Sequence, residues 1–380
     1  MDQSTQTSPP KPRRRWLRFS IRGIMLLMLV ICALLAFLVK DLMEAREEQA
    51  IVDRLNEVWA TLTYVHETGE NPEQLPGNAL FRTLFGDLYQ ARLYEAQVVG
   101  PIGEETMVLL PNLRHLEILQ IGPEKLSDRS VDALARIPRL RRLSFAETEM
   151  TPKQLRRIGK SGSIRALTLD SKSSTDAHLA ELQHFEKLTD VCLWQTEATD
   201  TGIESLFAIP DLKSLVIITA PNVTDQSISQ LGERTNLDEL VLTGIQFTDR
   251  SFTSIAHLNS LRELRIGNWA GSQDITSDGI RQLRQLTGLH TLELDGLAIN
   301  DRCMSAIAQL PNLEQLTLTA TSVTDAGIVP LKGSPALTQI LQSNNPITPQ
   351  GMQAIGFSHV PSKAYAGIYE RQRPTKPSTP

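Results

Sequence analysis

The sequence predicts an α/β solenoid, with a parallel sheet along a concave face and short helices along a convex face, preceded by one transmembrane helix. Three observations carry this. An apolar strand motif returns about every 24 residues between Leu116 and Leu337. A Thr-Asp pair follows most of these strands. Seventeen residues without charge, Gly23 to Val39, stand behind an arginine-rich start.

Composition narrows the class before any motif is read. The 380 residues are 41% hydrophobic and 21% charged, so the chain is not disordered, and its length suits two domains or one extended array. A formal charge of -5 and only 5% aromatic residues give no case for a nucleic-acid partner. Cys32, Cys192 and Cys303 are too few and too scattered for a disulfide framework, and no C-x-x-C is present. Cys32 reads as a packing residue within the apolar run.

Residues 1–22 form a basic tail carrying Lys11, Arg13, Arg14, Arg15, Arg18 and Arg22. The uncharged run 23–39 just reaches the roughly 17 to 20 residues that a span needs, and Arg22 can snorkel to the headgroups. Because the basic cluster precedes the run while Asp41, Glu44, Glu47 and Glu48 follow it, the positive-inside bias leaves the N-terminus cytoplasmic and exports the rest. A cleaved signal peptide is the rival, but "ALLAFLVKDLMEA" offers a poor small-x-small site, so an uncleaved anchor is expected.

Residues 40–64 predict a helical stalk, since Ile51, Leu55, Trp59 and Leu62 recur at three-to-four-residue spacing among charged residues. Its stripe is expected to pack on the next domain. "ETGENPEQLPGN" then breaks the helix, and residues 65–87 are read as a loop and N-terminal cap with a helical turn through Phe85. A strand is expected from Arg92 to Val99.

The repeat fills residues 88–357. Equivalent apolar residues stand at Leu116, Leu140, Ile164, Leu188, Leu212, Leu237, Leu261, Leu289, Leu313 and Leu337, at intervals of 24, 24, 24, 24, 25, 24, 28, 24 and 24. About ten units follow from that count. The Thr-Asp pair appears at Thr175-Asp176, Thr199-Asp200, Thr224-Asp225, Thr248-Asp249 and Thr324-Asp325, with Ser127-Asp128 and Asn300-Asp301 as variants. Thr151-Pro152 and Thr348-Pro349 keep only the Thr. A Thr or Asp ahead of helix formers is an N-cap, because its side-chain oxygen accepts from the unpaired amides of the first turn, and Pro just inside the start fits the same reading. Each unit is therefore a strand, a turn and a short helix whose apolar pair, such as Ile203 with Leu206, faces inward. No unit buries that face alone, so the units must stack.

The pattern L-x-x-L-x-L followed by Val-Thr-Asp-x-Gly-Ile/Leu resembles the leucine-rich repeat family in its helix-containing variety, over about residues 88 to 357. The Arg-rich start, single span and "LFGDLYQARLYEAQV" also resemble bacterial membrane-anchored members of it. The resemblance implies a solenoid that binds proteins. It is incomplete: the turn position that often carries a stacked Asn or Cys holds Thr148, Thr196, Thr321 and Asn345, but also Lys172, Pro221, Ile245 and Leu297. Cysteine-rich caps are missing. The stalk helix and the strand from Arg92 are expected to shield the first coil, and residues 358–380, rich in Pro, Lys, Arg and Thr, are expected to be disordered.

Alternation along each strand sends the residues between core leucines onto the concave face. Cys192, Val216 and Val241 should share a row, with Trp194 and Ile218 beside it. An exposed apolar patch containing a Trp is a frequent mark of binding. The next units turn charged, with Glu263, Arg265, Glu293 and Asp295, and an insertion around "GNWAGSQD" lifts Trp269 onto a loop. These ten residues are the candidate partner-binding set.

Catalysis is not expected. The seven histidines include no H-E-x-x-H and no pair at metal-ligand spacing, and neither a G-x-S-x-G nor a phosphate loop occurs. Glu293 and Asp295 share a face but read as a solvated, ion-paired surface rather than an acid and base. Asn222-Val-Thr is a glycosylation sequon only in a host that uses one. No cofactor and no metal are expected. The resulting reading is an extracytoplasmic, membrane-anchored repeat protein that binds a macromolecule, a protein by preference, on its concave face. The alternative is a self-assembling envelope scaffold without a dedicated ligand.

Overall fold

A computed structural model describes residues 21–64, 93–234, 236–267, 275–360 and 367–371; within its helices, the side chains of 22–24, 34, 38, 41, 42, 233 and 234 are not among them. The described residues fall into two units, the N-terminal helix as far as Ala50 and everything from Ile51 onward.

One helix runs from Ile21 to Glu57. Seven consecutive side chains in it, Met25 to Ile31, are apolar and exposed. Among the described residues, no helix is long and apolar enough to cross a membrane. The helix closes sooner than its periodicity predicts. Trp59 turns left-handed at φ 59° and is exposed, and Ala60–Tyr64 is a strand. The segment "ATLTY" alternates β-formers, which outweigh the apparent helical spacing of Trp59 and Leu62. The stalk thus ends near Glu57. Ile51, Val52 and Leu55 are buried in the core of the second unit.

The second unit is one 14-stranded sheet. Its strands are β1 (Ala60–Tyr64), β2 (Leu93–Val98), β3 (Ile118–Ile121), β4 (Arg142–Ala146), β5 (Ala166–Asp170), β6 (Asp190–Trp194) and β7 (Ser214–Thr224). The series continues with β8 (Glu239–Gln246), β9 (Glu263–Gly267), β10 (Thr291–Asp295), β11 (Gln315–Thr319), β12 (Gln339–Ser343), β13 (Phe357–Val360) and β14 (Ile368–Arg371). From β2 to β12 every neighbour is parallel and consecutive. Short α or 3-10 turns return the chain between them, one strand and one or two helical segments per coil. This is the α/β solenoid, and it is the arrangement the leucine-rich repeat resemblance implies.

The core is built from repeated positions. Leu143, Leu167, Val191, Leu215, Leu240 and Leu264 pair in sequence along one inward row, and all are essentially inaccessible. Phe145, Leu169, Leu193, Ile217, Leu242 and Ile266 make the second. The helical pairs Ile203 with Leu206 and Ile228 with Leu231 close the other side at 0% exposure.

Both ends of the sheet are covered by antiparallel strands, which removes the open parallel edge that a bare solenoid would present. β1 pairs with β2 at one end. At the other, β14 pairs with β12 and then β13 pairs with β14. The expectation of a disordered tail from residue 358 is corrected here for Ser358–Val360 and Ile368–Arg371. Polar composition pointed to disorder, yet Phe357 and Tyr369 are buried at 0% and 4% exposure and the Arg371 guanidinium lies 5.2 Å from the Phe357 ring centroid. A few apolar residues suffice where an open edge offers backbone partners.

Candidate functional site

The regular register decides which side chains meet on the outer face of the sheet. One row runs Thr168, Cys192, Val216, Val241, Arg265, Glu293 and Thr317, each directly opposite the next. A second runs Asp170, Trp194, Ile218, Thr243, Gly267 and Asp295. Nine of the ten candidate residues therefore fall in these two rows or, for Glu263, one step beside them. Trp269 lies outside the described residues.

The rows are not one pocket. Trp194 and Asp295 stand four strands apart, about 19 Å at the ordinary strand spacing. The apolar part is centred on Trp194, which is 40% exposed, with Ile218 and Val216 half-buried beside it. Val241 is 8% exposed and supplies floor rather than contact surface.

The charged part is self-paired. The Arg265 guanidinium meets Glu263 on its own strand and lies 3.7 Å from Glu293 on the next. Burial pushes Glu293 above the usual carboxylate range, with Arg265 pulling against it, while Asp295 and Glu263 add to the rise. Burial likewise raises Asp295. Elsewhere on the face, Glu239 accepts from Ser214 Oγ at 2.6 Å. The Cys192 thiol is pushed up to about 11 by burial, so it stays protonated near neutral pH and is no nucleophile. Among the described residues, no group of His, Cys, Asp and Glu is placed to hold a metal ion.

Asp170 belongs to the same outward row as Trp194 although it lies outside the candidate set. Its signal was present: it occupies the position of Trp194 one unit earlier. Burial first, and the neighbouring Glu147 second, push its carboxyl above the usual range.

The helix side carries a different pattern, and here the Thr-Asp pair does more than cap. Thr199, Thr224, Thr248 and Thr324 each take the N-cap position and accept from a first-turn amide. Thr276 does the same, although the four-residue insertion hid it from the spacing. The Asp that follows points to the next coil. Asp200 accepts from Thr224 N at 2.9 Å and Thr224 Oγ1 at 2.6 Å, and Asp225 accepts from Thr248 N at 3.0 Å and Oγ1 at 2.8 Å. The same two bonds recur at Asp176, Asp249, Asp301 and Asp325. His178 sits where no such Asp precedes it, with Nε2 2.9 Å from the Met150 carbonyl. It is a structural histidine.

The partial turn ladder also bonds backward. Thr148 Oγ1 donates to Gly122 O at 2.9 Å, Thr196 Oγ1 to Ser174 O at 2.8 Å, and Asn345 Nδ2 to Leu318 O at 2.7 Å. Ile245 and Leu297 replace it with buried apolar contact. An open cavity of about 760 Å³ beside Arg54, Glu104 and Arg136 is lined by mixed charges, including Arg129 paired to Glu104 at 3.3 Å.

No family model and no curated protein matches the chain. Among solved structures, the chain is similar to an internalin, inlF, of Listeria monocytogenes, at 18% identity and a TM-score of 0.37, over 66% of this chain and 86% of that one.

Proposed function

We propose that the chain is a membrane-tethered solenoid that binds a protein partner on the outer face of its sheet, around Trp194. The observation that carries the binding reading is the row Trp194 and Ile218 beside Val216, an apolar surface with an indole that has no structural use for its 40% exposure. The self-paired charges of Arg265, Glu263 and Glu293 bound it on one side as a polar rim.

What supports the tether is the uncharged run from Gly23 to Val39 and the exposed apolar side chains of Met25 to Ile31, which cover every face of nearly two helical turns. The basic cluster before the run supports a cytoplasmic N-terminus and an extracytoplasmic repeat unit. Carbonate extraction tests the tether: full-length protein should stay with the membranes, and its release would overturn this part. Crosslinking in cells followed by pull-down tests the binding. A distinct partner should be captured by the wild type and lost with Trp194→Ala. Capture of the chain's own copies alone would favour the scaffold reading.

A further inference from the structure

Resting on that reading of the face, we infer that the partner presents an arginine or lysine side chain, which seats between Trp194 and Asp170. The two residues are directly opposite each other in the parallel β5 to β6 register and point to the same side, so they stand one strand spacing, about 5 Å, apart. A guanidinium or ammonium entering there stacks on the indole face and meets the carboxylate in one geometry. Cation stacking on Trp is favoured within about 6 Å of the ring, and a planar guanidinium also bonds a carboxylate with both arms.

The charges on the strands around Trp194 favour a cationic group. Between β5 and β8 the outward acids are Asp170, Asp190 and Glu239, and these strands carry no Lys or Arg. Arg265 is held by Glu263 and Glu293. Arg142 stands at the start of its strand, four positions before Ala146, the neighbour of Asp170, roughly 13 Å away at strand rise. Asp170 is partly buried, and only burial and Glu147 act on its charge, with no cation offsetting them. An incoming cation supplies the missing partner. An anionic surface would meet like charge at Asp170, directly beside Trp194.

Titration calorimetry on the full-length chain in non-ionic detergent tests this with three synthetic nine-residue peptides that alternate leucine with arginine, glutamine or glutamate. The arginine peptide should bind at least tenfold more tightly than the glutamine peptide, and the glutamate peptide not at all. Trp194→Ala and Asp170→Asn should each weaken the arginine peptide about fivefold, while Asp278→Asn, on an exposed helical site paired to Arg281, should change it less than twofold. Equal binding of the arginine and glutamine peptides, still sensitive to Trp194→Ala, would overturn the cationic partner and leave the concave binding face standing. Arginine binding unaffected by Trp194→Ala and Asp170→Asn, or weakened as much by Asp278→Asn, would mean diffuse attraction and would overturn both. Absence of binding by all three overturns the inference alone, since the crosslinking test does not depend on it.

Discussion

Asp301 accepts two hydrogen bonds from Thr324 of the following coil, from the backbone N–H at 2.7 Å and from Oγ1 at 2.8 Å. Gly327 follows from that contact, because a Cβ there would lie 2.1 Å from Asp301 Oδ1. The same reasoning places Gly202 over Asp176 and Gly351 over Asp325, at 2.4 and 2.1 Å. Where the residue is Ser instead, at Ser227 and Ser251, its hydroxyl donates to the preceding coil's Asp at 2.5 Å. At these five positions the third helical residue is small because the previous coil's carboxylate occupies the space.

Asp301→Ala is expected to cost about 2 kcal/mol, since it removes a charged acceptor from two donors. Gly327→Ala should cost a similar amount through overpacking, about 1 to 3 kcal/mol. The double variant should be more stable than the sum of the two losses implies, by about 1 kcal/mol, because removing the carboxylate relieves the clash. Urea denaturation of the four proteins measures this, and strict additivity would argue against the contact.

The Asp ladder also sets an acid response. Burial alone would raise Asp200, but hydrogen bonds from Ser227 and Thr224 outweigh it and hold the carboxyl below its ordinary value. Asp225 is lowered against burial in the same way by Ser251 and Thr248. A depressed folded value gives stability that is present above the unfolded value of about 3.9 and is lost as pH falls through the folded one. Melting temperature should therefore drop steeply below about pH 4. Asp200→Asn with Asp225→Asn should lower it at pH 7 and flatten that drop. Asp170 has the opposite sign, being raised by burial, so Asp170→Asn should raise the melting temperature at pH 7 and make no difference well below pH 4.

Leu193 and Trp194 are neighbours in β6 with opposite fates, the first at 0% exposure and the second at 40%. Leu193→Ala should cost about 3 kcal/mol. Trp194→Ala should cost less, about 2 kcal/mol, since only part of its surface is covered and its loss leaves no closed cavity. A loss at Trp194 as large as that at Leu193 in thermal denaturation would mean the strand register is displaced by one residue.

These contrasts show what the sequence made legible. Spacing located the coils and, through strict alternation, put Trp194 and Ile218 outward and Leu193 and Ile217 inward. The N-cap role of Thr199 or Thr324 was readable from local chemistry. What Asp200 and Asp301 do was not, because their partners lie a full coil away and a cap explains the same two letters. Trp59 misled for the reverse reason: its spacing from Leu55 fits a helix, but the β-formers of Ala60–Tyr64 gain a ladder with β2, a partner far along the sequence.

Tyr369 opposite Ile340 in the β12 to β14 pairing closes the last coil. Truncation after Val360 removes that strand, uncovers the parallel edge of β12 and exposes Phe357. The shortened chain should lose about 3 kcal/mol or more and should self-associate, since an open edge templates pairing. Size-exclusion with light scattering reads the second effect, and a monomer of unchanged stability would refute the capping role.

The central claim is that the sheet face around Trp194, rather than the helical side, meets the partner. A photo-crosslinking amino acid placed in turn at position 194 and at exposed Arg284 on the helical side, in cells expressing the full chain, tests it most directly. The account predicts one discrete adduct with another protein from position 194 and none from 284. An adduct from 284 with 194 silent would contradict it.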